Sequence, residues 1–222
     1  MKYRIVGEPL PVAICELEKG EKMFSEVGGR TWVKGPINTE TKGGGLGKMM
    51  GRMVSGESLF LSYYEAQGPV EIAFASSFPG SIRAYELQAG QSLICQKRAF
   101  LGATESVKLE IHMQKKLGAG LVGGEGFILQ KITGPGIAFV EIDGHAVDYE
   151  LQSGEELVCD TGIMAVMDST CSLEVVSVKG LKNKLLGGEG FFDTVIKGPG
   201  TVTLQSITIT GLAGVLAPFV AK

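Results

Sequence analysis

The sequence predicts an all-β fold, a single domain over 1–222 built from three tandem repeats of short antiparallel strands about an approximate threefold axis. Three observations predict it. Glycine accounts for 33 of 222 residues, about twice its usual share, which suits a chain with many tight turns. Apolar residues alternate over short runs closed by Gly or Gly-Pro, the punctuation of strands. Three markers also recur in one order three times, and a repeat of this kind decides the fold before any single strand does.

The first marker, E-L-x-x-G-x-x-(L/M), runs from Glu16-Leu17 to Met23, from Glu86-Leu87 to Leu93 and from Glu150-Leu151 to Leu157. The second, G-E-(S/G)-(L/F), follows at Gly56-Glu57-Ser58-Leu59, Gly124-Glu125-Gly126-Phe127 and Gly188-Glu189-Gly190-Phe191, spaced 40, 38 and 38 residues from the first. The third is Gly-Pro, at Gly68-Pro69, Gly134-Pro135 and Gly198-Pro199. These markers divide the chain into repeat A, about 1–82, repeat B, about 83–146, and repeat C, about 147–222.

Along the chain, each Gly-Pro opens a strand. Ile72, Ala138 and Val202, then Phe74, Val140 and Leu204, are apolar, while the neighbours Glu71 and Ala73, or Thr201 and Thr203, are more polar or smaller, which predicts one face on a core and one toward a sheet neighbour or water. Repeat A alone carries a methionine-rich stretch. Leu46, Met49, Met50 and Met53 fall at helical spacing, but its glycines weaken a helix, so a loop or a short turn of helix is expected, with a partner or lipid contact as the rival reading. Cys95 and Cys159 end apolar runs and, with Cys15 and Cys171, form no CxxC pair; they are expected as reduced thiols packed as small hydrophobes. His112 alternates on a strand, and His145 in Ile142-Asp143-Gly144-His145 reads as an exposed hairpin-turn residue. The tail from Gly211 to Val220 is apolar and only ten residues long, too short to span a bilayer. Its Leu212, Val215, Leu216 and Phe219 are expected either to cover the third repeat or to form a subunit contact.

Composition excludes several classes. A net charge of −3 gives no positive field to hold nucleic acid or an anionic membrane. No apolar run approaches a membrane-spanning length, and the N-terminus lacks the apolar segment of a signal peptide, so a cytoplasmic protein is expected. Gly118-Ala119-Gly120-Leu121-Val122-Gly123 spells a dinucleotide fingerprint but leads into a repeat strand instead of a helix. The run from Lys42 to Met49 lacks the serine or threonine that a phosphate loop needs. No nucleophile is framed by a base and its orienting partner, so no catalytic residue, cofactor or metal is assigned.

A feature present in every repeat meets its copies near the axis. Glu57, Glu125 and Glu189 are therefore the candidate axial ligand ring, which would hold a cation through oxygen; the structural alternative is a turn carboxylate that accepts backbone N–H groups or meets Lys48, Lys115 or Lys184. The same lysines, with Arg52, Lys116, Lys179 and Lys182, would make a basic rim, but without the aromatic interleaving that stacks bases.

Nearly the whole chain resembles a widespread family of uncharacterised microbial proteins related to the yeast altered-inheritance-of-mitochondria protein of mitochondrial biogenesis. The resemblance rests on Gly124-Glu125-Gly126-Phe127 with Gly134-Pro135-Gly136, on the E-L-x-x-G repeats and on Gln96-Lys97-Arg98-Ala99-Phe100-Leu101. It implies three fused units like that of the tryptophan-sensing RNA-binding attenuation protein, a double-stranded β-helix-like fold. That protein's RNA rim is not implied, because its repeated Lys-Lys-Arg is absent here: Gln96-Lys97-Arg98 occurs once and Lys115-Lys116 is followed by Leu117. The expected function is a non-enzymatic structural or binding protein, a homo-oligomeric scaffold. A small-ligand or cation-binding module at the axis is the first alternative and an RNA-binding ring the second.

Overall fold

A computed structural model describes residues 1–42, 60–115, 127–177 and 192–220. Those residues are all-β apart from one short 3-10 turn, Lys97–Ala99, and one helix, α1 (Ile209–Val220). Strand β1 (Lys2–Val6) comes first. A block of six follows: β2 (Val12–Leu17), β3 (Lys22–Glu26), β4 (Trp32–Lys34), β5 (Ile37–Lys42), β6 (Leu61–Ala66) and β7 (Val70–Ala75). The next six are β8 (Gly80–Leu87), β9 (Ser92–Gln96), β10 (Phe100–Thr104), β11 (Lys108–Lys115), β12 (Phe127–Thr133) and β13 (Gly136–Asp143). The last six are β14 (Ala146–Leu151), β15 (Glu156–Asp160), β16 (Met164–Asp168), β17 (Ser172–Ser177), β18 (Phe192–Lys197) and β19 (Gly200–Gln205).

All ladders are antiparallel. In the first block β7 pairs with β2 and β4, and β6 with β3 and β5. In the second, β13 pairs with β8 and β10, and β12 with β9 and β11. In the third, β19 pairs with β14 and β16, and β18 with β15 and β17. Two ladders join blocks: β3 with β10, Phe24 opposite Ala103, and β9 with β16, Ile94 opposite Met167. Four sheets result, in the orders β1-β2-β7-β4, β5-β6-β3-β10-β13-β8, β11-β12-β9-β16-β19-β14 and β15-β18-β17.

The E-L-x-x-G marker has a local physical cause. Leu17, Leu87 and Leu151 are buried while the glutamate before each is exposed, as alternation on a half-covered strand requires. The chain then turns: the N–H groups of Glu21, Gln91 and Glu155 donate to the carbonyls of Glu18, Gln88 and Gln152, each at 3.0 Å. Gly20, Gly90 and Gly154 occupy the third position of these turns at φ 88°, 83° and 85°, where a side chain is disfavoured. The residue after each glycine locks the turn, since the side chains of Glu21, Gln91 and Glu155 accept the N–H of Glu18, Gln88 and Gln152 at 2.7–2.8 Å.

Three apolar clusters lie between successive sheets. Ile72, Phe74, Met23 and Phe139 belong to the first, Cys95, Phe100, Val140 and Ile132 to the second, and Leu129, Met164, Ile196 and Val202 to the third. The strands that follow Gly-Pro are central in their sheets, so both faces of β13 are buried from Ala138 to Ile142. Of the two expected environments for the second face, a neighbouring sheet and water, β13 has the first. His145 is exposed in the turn after β13, but that turn crosses between sheets, because β13 and β14 do not pair with each other. The four cysteines are free; Cys15, Cys95 and Cys171 are buried and Cys159 is half-buried.

Candidate functional site

A cleft of about 200 Å³ opens where the 3-10 turn after β9, the end of β13, the turn between β15 and β16, and the start of α1 come together. Lys97 and Arg98 face it from the turn, Asp143 from β13, Thr161 from the β15–β16 turn and Thr208 from the approach to α1. Two amides frame it. The Gln205 Oε1 accepts the Asp143 N–H at 3.1 Å while its Nε2 donates to the carbonyl of Gly162 at 2.8 Å. The Gln96 Nε2 donates to that same carbonyl at 2.7 Å. These two side chains thereby tie β9 and β19 to the end of β13 and to the β15–β16 turn.

The charges in the cleft are not equivalent. Glu141 is buried but satisfied: its Oε2 accepts from Ser76 Oγ and the Ser77 N–H at 2.8 and 2.7 Å, and its Oε1 accepts from Ser77 Oγ at 2.8 Å. Such a carboxylate is structural. Asp143 is half-buried, and burial first, then the neighbouring Glu141 charge, push its pKa up to about 6 against the pull of Arg98. Its carboxyl is thus able to change charge just below neutrality, beside a guanidinium that keeps its charge. The arrangement can hold a small polar molecule between a fixed cation and a tunable anion.

Two further features lie on the described surface. Thr208 caps α1, its Oγ1 accepting the Gly211 N–H at 2.9 Å, and the helix then leaves Val215 66%, Leu216 46% and Phe219 80% exposed. Of the four tail residues predicted as an assembly element, Val215, Leu216 and Phe219 are exposed and Leu212 is half-buried. At the ends of two sheets, β4 and β15 have no second strand partner among the described residues. Trp32 on β4 and Val158 on β15 are 44% and 58% exposed.

The predicted axial ring, Glu57, Glu125 and Glu189, lies outside the described residues, as do Lys48, Lys116, Lys184 and the stretch containing Met49, Met50 and Met53. Lys115 ends β11. No group of three metal-ligating side chains occurs among the described residues, and no helix there is long and apolar enough to cross a membrane. Sequence reasoning did not single out Glu141, Gln205 or Trp32. A signal for the first two was available: each stands six residues after the proline of a Gly-Pro marker, with Ala75 at the same place in the first block.

Comparison with known proteins agrees on one family. The mitochondrial biogenesis AIM24 family model matches residues 3–207. An uncharacterised protein of Streptococcus pyogenes serotype M6 is 27% identical over 215 residues, covering 93% of this chain and 85% of the relative. A Streptococcus pyogenes protein solved by X-ray crystallography in a structural genomics programme superposes with a TM-score of 0.80 over 99% of both chains at 24% identity, a likeness of fold.

Proposed function

The chain belongs to the mitochondrial biogenesis AIM24 family, and on that footing we propose that it is a non-enzymatic cytoplasmic scaffold that assembles with copies of itself through α1. The observation that carries this reading is the exposure of Val215, Leu216 and Phe219 on one helix. An isolated apolar residue on a surface needs no explanation, but three on a projecting helix of twelve residues make a patch that association would cover. At about 1.5 Å per residue the helix is far shorter than a bilayer core. It has no basic residue in its last turn to hold an anionic headgroup. A second copy of the chain is the occupant this chemistry fits.

The architecture belongs to the same proposal. We read the chain as three copies of one six-strand unit in a double-stranded β-helix-like arrangement about a pseudo-threefold axis. The support is that the same four ladders recur in each block, with the E-L-x-x-G turn at the same place in each. A second functional reading is favoured by the cleft: a small polar ligand offering an anionic group to Arg98 and a donor to Asp143.

Light scattering on the full chain and on a chain ending at Thr210 tests the scaffold. The truncated form keeps the cleft lining and loses most of the helix. An oligomer that falls to a soluble species of lower mass is the expected result; an unchanged mass would remove α1 from the assembly.

A further inference from the structure

We propose that β15 of one copy pairs antiparallel with β4 of a second copy, continuing the two sheets head to tail, with Lys34 opposite Leu157, Val33 opposite Val158 and Trp32 opposite Cys159. The inference rests on the scaffold reading and names a contact within it. It starts from the two ladders that join blocks. The second strand of the first block, β3, pairs with the third strand of the second block, β10, and β9 pairs in the same way with β16. That junction is used twice in the chain. Among the described residues its unused halves are β15, the second strand of the last block, and β4, the third strand of the first; each ends its sheet there, and they do not pair with each other.

Burial records the missing half. Both faces of β9 and β16 are covered, with Leu93, Ile94 and Cys95 buried on one and Met164 through Met167 on the other. The matching strands are bare: β15 alternates between exposed and half-buried, and β4 exposes Trp32 and Lys34 around a half-buried Val33. Val158 stands where Phe24 and Ile94 stand in the earlier blocks, one residue past the leucine or methionine of the first marker. Phe24 packs in the core of the block that follows its own, and so does Ile94. For Val158 that following block is the first block of another copy, where Val33 waits at the edge of the Ile72 and Phe74 cluster.

The register comes from the same equivalence. Trp32 lies opposite Ala73 on β7, as Val166 lies opposite Thr203 on β19. Val166 in turn pairs with Cys95, the counterpart of Cys159, and Met167 pairs with Ile94, the counterpart of Val158. Trp32 therefore falls opposite Cys159 and Val33 opposite Val158. Directly opposed antiparallel residues share a face, so Val33 and Val158 enter the first-block core while Trp32 and Cys159 cover the third. Charge agrees at the margins: Arg30 precedes β4 and Lys34 ends it, and Glu156 and Asp160 lie on β15. The two edges differ, so the contact is heterologous and builds a ring or a filament.

The full chain carrying Trp32→Cys, oxidised with copper phenanthroline and run on a non-reducing gel, tests the register. Trp32 and Cys159 are the accessible members of the pair, and the other three cysteines are buried. Disulfide-linked dimers and higher species are expected, and Cys159→Ser in the same background abolishes them. Links confined within one chain, links that survive Cys159→Ser, or no link at all would overturn the pairing. Val158→Lys is a second test, tolerable in a single chain because the residue is exposed; a fall in mass by light scattering is expected, and an unchanged mass overturns the proposal. A full chain that is oligomeric yet refuses the link defeats the edge pairing and leaves the scaffold standing, whereas a monomer at every concentration defeats both.

Discussion

At Gly134 a Cβ would sit 2.5 Å from the Gln88 carbonyl oxygen and 2.7 Å from the Leu87 Cβ, and at Gly198 the same neighbours of the next turn, Gln152 and Leu151, stand at 2.4 and 2.8 Å. Gly90 is different: its φ of 83° disfavours a side chain, but open space surrounds it. Replacing Gly134 by Ala forces backbone apart and is expected to cost about 2–3 kcal/mol, against about 1 kcal/mol for Gly90→Ala, where only the left-handed conformation is paid for. Chemical denaturation of the two variants checks the order; equal losses would show that conformation alone governs both sites. Asp143 supplies a pH-dependent effect of definite sign. Its folded pKa is raised to about 6 by burial and by Glu141, with Arg98 and Lys97 as the cations of the same cleft. The native state therefore holds its proton more tightly than the unfolded chain between roughly pH 4 and pH 6, and stability falls as pH rises through that window. Asp143→Asn removes this cost. The variant is expected to match the parent at pH 4 and to exceed it at pH 7 by about 1 kcal/mol or less, because a half-exposed group is screened by solvent. A variant less stable than its parent at pH 7 would mean that the Arg98 attraction outweighs burial.

The strands themselves were largely legible, because each E-L-x-x-G turn and each Gly-Pro is a local constraint written in neighbouring residues. Leu17, Leu87 and Leu151 go inward and their glutamates outward from alternation alone. What alternation cannot reveal is which strand sits between two others. β13 has both faces covered, and Phe139, between the aligned apolar positions Ala138 and Val140, is fully buried; only pairing on both edges and sheets on both sides make it so. Cys159 shows the converse. It matches Cys95 letter for letter in the repeat, yet it is half-buried where Cys95 is buried, since among the described residues β15 lacks the strand that β16 provides to β9. The cleft was the least legible part. Arg98, Asp143, Thr161 and Thr208 come from four separate segments, and no spacing in the chain brings them together. The tail was read by composition as an element that covers its own repeat or binds another copy; in α1 Leu212 is half-buried while Val215, Leu216 and Phe219 are exposed.

Cohesion of the whole molecule depends on how the blocks are tied, and side chains add to the two ladders that join them. Glu141, near the end of β13, reaches back to the turn that closes the first block and accepts three hydrogen bonds from Ser76 and Ser77. Gln205, at the end of β19, does the same for the second block by accepting the Asp143 N–H. The backbone donors correspond, since Ser77 and Asp143 each lie eight residues after the proline of a Gly-Pro marker. Ala75 holds the equivalent place in the first block and has no group to reach the last one. The latch is thus made at the two junctions that the ladders also join, whereas β4 and β15 carry no such ladder among the described residues. One buried carboxylate satisfying three donors is worth more than an exposed pair, because its hydrogen bonds are charge-assisted and partly shielded from water. Glu141→Ala is therefore expected to destabilise by about 3 kcal/mol. Glu141→Gln should cost less, since its amide keeps one oxygen for Ser77 and sets an N–H₂ group against the remaining donor. Hydrogen exchange separates this from a generic core defect. Loss of the latch is expected to speed exchange at the 76–80 turn and in the neighbouring edge strand β8 before it reaches the central strands β9 and β16. Uniform acceleration across all three clusters would mean that the blocks unfold as one unit, held by their shared sheets and not by the side chains that bridge them.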